Sequence, residues 1–151
     1  MFNMMRDALS GAVRPLFQRP RALQMAALCH RDTDEGREVL LVTSSHGRWI
    51  LPKGWPIDGK TGGETAMQEA WEEAGVKSGK VEKAPVGTFL STKRMANGPD
   101  LACETSVYAI KVKTISDSFP EAKKRKRRWV KLPEAVNMVE DRGLRQLLSG
   151  L

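Results

Sequence analysis

The order of elements along the chain predicts an α+β domain in which helices pack on a mixed β-sheet. Three observations lead there. Apolar, strand-like runs separated by polar turns recur from Ala22 to Lys131. One strongly signalled helix interrupts them after Thr61, and a second helical region follows Pro133. The length, 151 residues, suits one domain, read as residues 21–151, with residues 1–20 as an N-terminal extension or short helix.

Residues Met1 to Gln24 carry Arg6, Arg14, Arg19 and Arg21 against a single Asp7. That bias loosely resembles an organellar transit peptide. The favoured alternative is a short helix over Met4 to Val13, closed by Pro15 and Pro20 and packed on the domain. Ala22 to His30 reads as a strand, Arg31 to Arg37 as a hairpin loop, and Glu38 to Thr43 as a buried strand. Ser44 to Gly47 turns, Arg48 to Leu51 is a short strand, and Pro52 to Lys60 is a loop. Thr61-Gly-Gly-Glu64 matches a capping box, so a helix begins near Gly62. Gly75 stops it after Ala74. Lys83 to Lys93 and Leu101 to Ile115 are β-rich, joined by a turn over Ala96 to Asp100. Ser116 to Lys124 is a loop and Lys126 to Lys131 the last strand. A final helical region starts at Pro133, breaks at Gly143 and continues to Leu148.

Composition narrows the function. A net charge of +7 favours anionic partners: polyphosphates, nucleic acid or acidic lipid. No run of about 18 apolar residues is present, so no membrane span is expected, and a cytoplasmic location is. Cys29 and Cys103 sit in apolar contexts and read as buried, reduced thiols. His30 and His46 lack partners at zinc-binding spacing, and His30 reads as a strand residue.

Chemistry concentrates between Gly54 and Val76. Glu69, Glu72 and Glu73 are three and four residues apart, so all project from one side of the helix. Like charges so close repel, and a divalent cation reverses the sign of that interaction. The competing explanation is a solvated acidic face. Among the aromatics, Trp49 and Trp129 read as structural strand residues, Trp71 as packing the helix's far side, Trp55 as partly exposed in the loop, and Phe89 as core.

This stretch resembles the signature box of the Nudix hydrolases, with Gly54, Glu69, Ala70, Glu72, Glu73, Gly75 and Val76 in their places. Two positions depart: Lys60 stands where the family has Glu, and Gln68 where it has Arg. One change removes a negative charge and the other a positive one, which implies a milder polar contact between the two positions. In order and spacing, roughly Arg21 to Val139 is similar to the diphosphoinositol-polyphosphate and diadenosine-polyphosphate phosphohydrolase branch. The resemblance implies an α/β/α sandwich around a mixed sheet, with the box as loop-helix-loop.

It further implies Mg²⁺, with Mn²⁺ as an alternative, held by Glu69, Glu72 and Glu73. The general base is Glu73, Glu72 or a loop acid, for which Glu121 is the candidate. Substrate contacts fall to Ser44, Ser45, Arg48, Lys53 and Gly54. Lys93, Arg94 and the basic run Lys123 to Arg128 join them, chiefly through Arg125 and Arg127, since alternate residues of a strand face opposite ways. The expected activity is Mg²⁺-dependent hydrolysis of phosphoanhydride bonds in a phosphate-rich, nucleoside-diphosphate-linked or diphosphoinositol-type small molecule. An RNA 5′-end or nucleoside pyrophosphohydrolase is the second reading, disfavoured by the scarcity of aromatics for base stacking. A non-catalytic binding module is the third, supported only by Lys60 and Gln68.

Overall fold

The computed structural model describes residues 21–151; the helix expected over Met4 to Val13 lies outside the described residues. The expected α+β arrangement is the one observed. Eight strands form one mixed sheet: β1 (Ala22–Thr33), β2 (Gly36–Thr43), β3 (Trp49–Ile50), β4 (Lys53–Gly54), β5 (Val76–Val81), β6 (Gly87–Lys93), β7 (Leu101–Ile115) and β8 (Arg127–Lys131). Helix α1 (Gly62–Ala74) covers one face; α2 (Leu132–Met138) and α3 (Arg142–Ser149) cover the other.

The sheet is organised around β1. Its whole length from Ala22 to His30 runs parallel to β7. Its other edge is shared: His30 to Thr33 pair with β2, and Met25 and Ala26 pair with β4. β2 leaves β1 after this short ladder and pairs with β8 and β3. The sheet therefore splays between β2 and β4, where the amide of Ala27 donates to the Pro52 carbonyl at 2.9 Å. That splay sets the loop carrying Gly54 beside α1.

Helix α1 forms for the reasons its sequence advertises. Thr61 Oγ1 accepts from the Glu64 amide at 3.1 Å, and Glu64 Oε1 accepts from the Thr61 amide at 2.8 Å. Ala66, Ala70 and Ala74, each fully buried, form a small-residue stripe that lets the helix lie close on Ala27, Cys29, Leu40, Val42 and Ile110. The opposite core layer joins Ala26, Leu28, Val39, Leu41, Leu51, Phe89, Val107 and Val130 to α2 and α3. Both cysteines are free and buried, as expected, and burial pushes the Cys29 thiol up to about 12.

Several boundaries differ from the sequence reading. The hairpin loop expected over Arg31 to Arg37 shrinks to two residues, because both strands extend and are tied by Arg31–Glu38 and Arg37–Asp32 ion pairs. Strand β5 was not foreseen. The closing helical region does not break at Gly143. It breaks at Val139 to Asp141, and Asp141 caps α3 by accepting from the Leu144 amide at 3.0 Å. No helix among the described residues is long and apolar enough to cross a membrane.

Gly75 ends α1 at φ 73°, with its amide donating to the Ala70 and Trp71 carbonyls. A Cβ there would strike the Ser116 carbonyl and the side chains of Arg127 and Phe119. The left-handed backbone alone costs a non-glycine residue about 1–2 kcal/mol, and the collision adds to it. Gly75→Ala should therefore lower the urea midpoint markedly; an unchanged midpoint would mean that this corner is loose.

Candidate active site

The acidic face of α1 is brought against the β4 turn. Glu73 is only 5% exposed. Its Oε1 accepts from the Lys53 amide at 3.3 Å and lies 3.6 Å from an Arg125 guanidinium nitrogen. Glu69 lies directly over Gly54, and a Cβ at Gly54 would collide with the Glu69 carboxyl. This is why a glycine is needed there: a carboxylate occupies the place of a side chain.

Glu69 and Glu73 share a hydrogen bond. Burial, the larger cause, and this shared bond push the Glu73 carboxyl up to about 8, against the opposing pull of Arg125. Burial also raises Glu69, helped by the nearby charges of Glu72 and Glu121 and opposed by Glu73's hydrogen bond and by Arg125. The pair thus holds a proton that an isolated glutamate would release. Two carboxylates cannot both ionise in a dry corner without a compensating cation.

Glu72 and Glu121 border the pair. The Glu121 amide donates to the Glu72 carbonyl at 3.0 Å, which pins the loop to the helix. Glu72 Oε1 accepts from Gln68 Nε2 at 3.1 Å. This corrects the expected Lys60–Gln68 contact: one helical turn separates Gln68 from Glu72, and the amide is spent there. As placed, no three carboxylates among the described residues converge on one point. Glu69 and Glu73 converge, while Glu72 and Glu121 are turned to Gln68 and Arg125.

The basic run divides by alternation, but its two inward arginines have different fates. Arg125 Nε donates to Glu121 Oε1 at 3.0 Å and Nη1 donates to the Thr43 carbonyl at 2.7 Å, leaving its side chain 17% exposed. Among the described residues it is the one cation placed on the carboxylate cluster. Arg127, expected in the groove, is instead directed at the end of α1. Its Nη1 donates to the Ala74 and Ser116 carbonyls at 2.8 and 2.7 Å, it pairs with Asp117, and it stacks on Phe119. Orphan carbonyls at a helix C-terminus attract a cation, and Arg127 satisfies them.

The remaining candidates are dispersed. Ser44 Oγ accepts from the amides of His46 and Arg48, and Ser45 Oγ bonds His46 Nδ1, so both serve the turn between β2 and β3. Arg48 makes a 3.9 Å surface pair with Glu140. The Lys53 amide faces Glu73, whereas its residue partner in β1 is Ala26, of the opposite core layer. Burial lowers the Lys53 ammonium, and Asp141 is the charge that most opposes this. Lys93 Nζ lies 4.8 Å from the Trp55 ring centroid, roofing the turn beside Gly54. Arg94 lies in the exposed turn after β6. Sequence reasoning missed Thr43, whose carbonyl and hydroxyl anchor Arg125 and the Lys126 amide. It also missed the Trp55–Lys93 pair. No local pattern marks either.

The donor set fits a hard divalent cation. Among the described residues, Glu72, Glu73 and Glu121 lie within electrostatic reach of Glu69, with Arg125 beside them, and oxygen donors are what Mg²⁺ and Mn²⁺ take. Glu69 and Glu73 would hold the ion, with Glu72 and Glu121 at its border.

Helices on both faces of a splayed mixed sheet, with a capped acidic helix laid against a glycine turn, define an α/β/α domain with a loop-helix-loop acidic site. The chain belongs to the Nudix family, whose NUDIX domain model matches residues 22–148. It is 35% identical over 105 residues to Nudix hydrolase 12, mitochondrial, of Arabidopsis thaliana, covering 67% of this chain and 51% of that protein. It is likewise 35% identical over 119 residues to diphosphoinositol polyphosphate phosphohydrolase 3-beta of Bos taurus, covering 76% of this chain and 67% of that protein. The chain thus spans about half to two thirds of the length of these curated relatives. In fold it is similar to the C. elegans Ap4A hydrolase, with a TM-score of 0.62 at 17% identity over 86% of this chain and 95% of that one. The E. coli dihydroneopterin triphosphate pyrophosphohydrolase gives a TM-score of 0.64 at 14% identity over 88% and 97%.

A carboxyl that gains proton affinity on folding stabilises the fold below its ordinary value of 4.5, and that contribution fades as pH climbs through its folded value, about 8 for Glu73. The metal-free protein should therefore lose thermal stability between about pH 5 and about pH 9, and Mn²⁺ should restore it at the alkaline end. A flat profile in EDTA would contradict the shared-proton pair. Gly54→Ala should displace the Glu69 carboxyl and weaken Mn²⁺ binding by about tenfold or more in calorimetry, a loss of roughly one ligand's contribution. Unchanged affinity would remove Glu69 from the site.

Proposed function

We propose that the protein hydrolyses phosphoanhydride bonds in a phosphate-rich small molecule of diphosphoinositol or nucleoside-polyphosphate type, with Mg²⁺ as cofactor. The observation that carries this reading is the Glu69–Glu73 pair, Glu73 buried and Glu69 half-buried, set beside one arginine, Arg125, among the described residues. A divalent cation held there supplies charge neutralisation of phosphoryl oxygens and a more acidic water. Glu69 and Glu73 orient that charge. Glu121, at the border and facing Arg125, takes the proton from the attacking water. Arg125 offers its guanidinium to the phosphate being cleaved, since a planar fork matches phosphate oxygens. Lys93 adds charge at the mouth, and the exposed cations Lys124, Lys126 and Arg128 draw polyanions toward it. Arg127 is left out of this set because its donors serve the helix end.

The similarity to diphosphoinositol polyphosphate phosphohydrolase supports the substrate class. A second reading has one observation in its favour: Trp55 is 43% exposed beside Gly54 and is a ready stacking surface for a base. That suits an RNA 5′-end or nucleoside pyrophosphohydrolase. A non-catalytic module is disfavoured by the intact carboxylate set.

A panel of diphosphoinositol polyphosphate, diadenosine polyphosphate, triphosphorylated RNA, dNTPs and ADP-ribose with Mg²⁺ separates these. The first two should turn over fastest; ADP-ribose as the best substrate would defeat the reading. Glu73→Gln should lower kcat by about 100-fold or more and lose Mn²⁺ affinity with it. Glu121→Gln should lower kcat by a similar factor while leaving Mn²⁺ affinity nearly intact, and equal loss of both would make Glu121 a ligand instead of the base.

A further inference from the structure

Beside α1, at the edge of the sheet formed by β5, lies a cavity of about 900 Å³, between the helix, β5 and the segment that follows it. It lies within the volume range of small-molecule sites, about 300–1,000 Å³. Its floor is apolar, made by Met67, Trp71 and Val81, all half-buried. Its rim carries three ammonium groups, from Lys60, Lys77 and Lys83. Glu64 and Glu82 also reach it, and Glu64 is turned toward the Thr61 amide at 2.8 Å. Three ammonium groups against two carboxylates leave the rim with one net positive charge, over an apolar floor that carries the Trp71 indole.

Both positions at which this chain departs from the family signature, Lys60 and Gln68, line this one cavity. The signature's Glu and Arg would put opposite charges on the same rim, where they attract and close it. Lys60 and Gln68 do neither. Gln68 instead turns its amide to Glu72 at 3.1 Å and leaves Lys60 free of that partner. The two departures therefore have one joint consequence: the rim keeps one cation at these two positions and loses the anion opposite it, so its net charge there rises by one unit.

We propose that this cavity is a second binding site, separate from the carboxylate cluster, for a planar aromatic anion of mononucleotide size. The aromatic body would lie on Trp71 and Met67, and the anionic group would meet Lys60, Lys77 and Lys83. Neither an aromatic neutral molecule nor a bare phosphate satisfies both halves.

The test uses the full chain in EDTA, so that its outcome is independent of metal binding and of hydrolysis. AMP, adenosine and inorganic phosphate are titrated while the Trp71 indole N–H and the Gln68 side-chain amide are followed by NMR. AMP should shift both signals along one saturating curve, with adenosine and phosphate each at least tenfold weaker. The double substitution Lys60→Glu with Gln68→Arg should weaken AMP by tenfold or more. Lys83→Glu, at an exposed position that burdens the fold little, should weaken it severalfold. The proposal is overturned if AMP produces no saturating shift at these two signals, if the perturbed residues are those around Lys53 and Arg125 instead, or if both variants bind AMP as tightly as the parent chain.

Discussion

The pair of carboxyls at Glu69 and Glu73, the second buried and the first half-buried against the backbone of Lys53 and Gly54, is the constraint around which the rest of the structure is arranged. A helix has to lie close to a sheet to put Glu73 that deep, and the alanine stripe at Ala66, Ala70 and Ala74 makes the close approach. A sheet has to open to admit the glycine turn, and β1 manages this by pairing with β2 at one end and β4 at the other. The loop before β8 has to return to the helix, and the Glu121 amide bound to the Glu72 carbonyl brings it there. Each device is local and ordinary. Their joint result is a corner with more negative charge than the protein compensates by itself.

Arg125 and Arg127 show how two identical side chains in one basic run acquire unlike tasks. Both point inward because the backbone alternates as it enters β8. Arg125 emerges beside Thr43, at the edge where β2 ends, and meets the acids. Two residues on, Arg127 emerges beneath the last turn of α1 and satisfies carbonyls that would otherwise be orphaned. Six consecutive cations therefore contain one residue at the cluster, one structural clamp, and exposed charges that act at a distance.

The sequence made some elements fully legible. The bounds of α1 were readable because its start and stop are written in residues with one mechanical meaning each: a reciprocal cap at Thr61 and Glu64, and a left-handed glycine at Gly75. The limits of β7 were equally plain from its unbroken β-rich run. Strand β5, VKSGKV, escaped notice because two lysines, a serine and a glycine obscure alternation, and register shifts between Val76 and Gly79 break the period further. Gly143 misled for a different reason. A glycine in a helix reads as a break, yet this one packs against the Leu90 carbonyl and Phe89, where no side chain fits. In the site, the carboxylates were legible from spacing, whereas Thr43, about 80 residues before its partner Arg125, was not. Contacts of that kind exist only once the sheet is assembled.

The parallel ladder between β1 and β7 joins segments about eighty residues apart in the chain, with Ala22 opposite Cys103. The glycine turn and α1, with Glu69, Glu72 and Glu73, are enclosed in the long loop that this ladder closes, while Glu121 and Arg125 follow it in the chain. Closing such a loop is entropically slow, and chains rich in distant pairings fold slowly. On the ribosome β1 must wait, unpaired on that edge, until the residues of β7, about eighty positions later, have emerged. Helix α1, whose caps are local, can take shape during that interval, so the acidic segment is ready before the surface on which it will act exists.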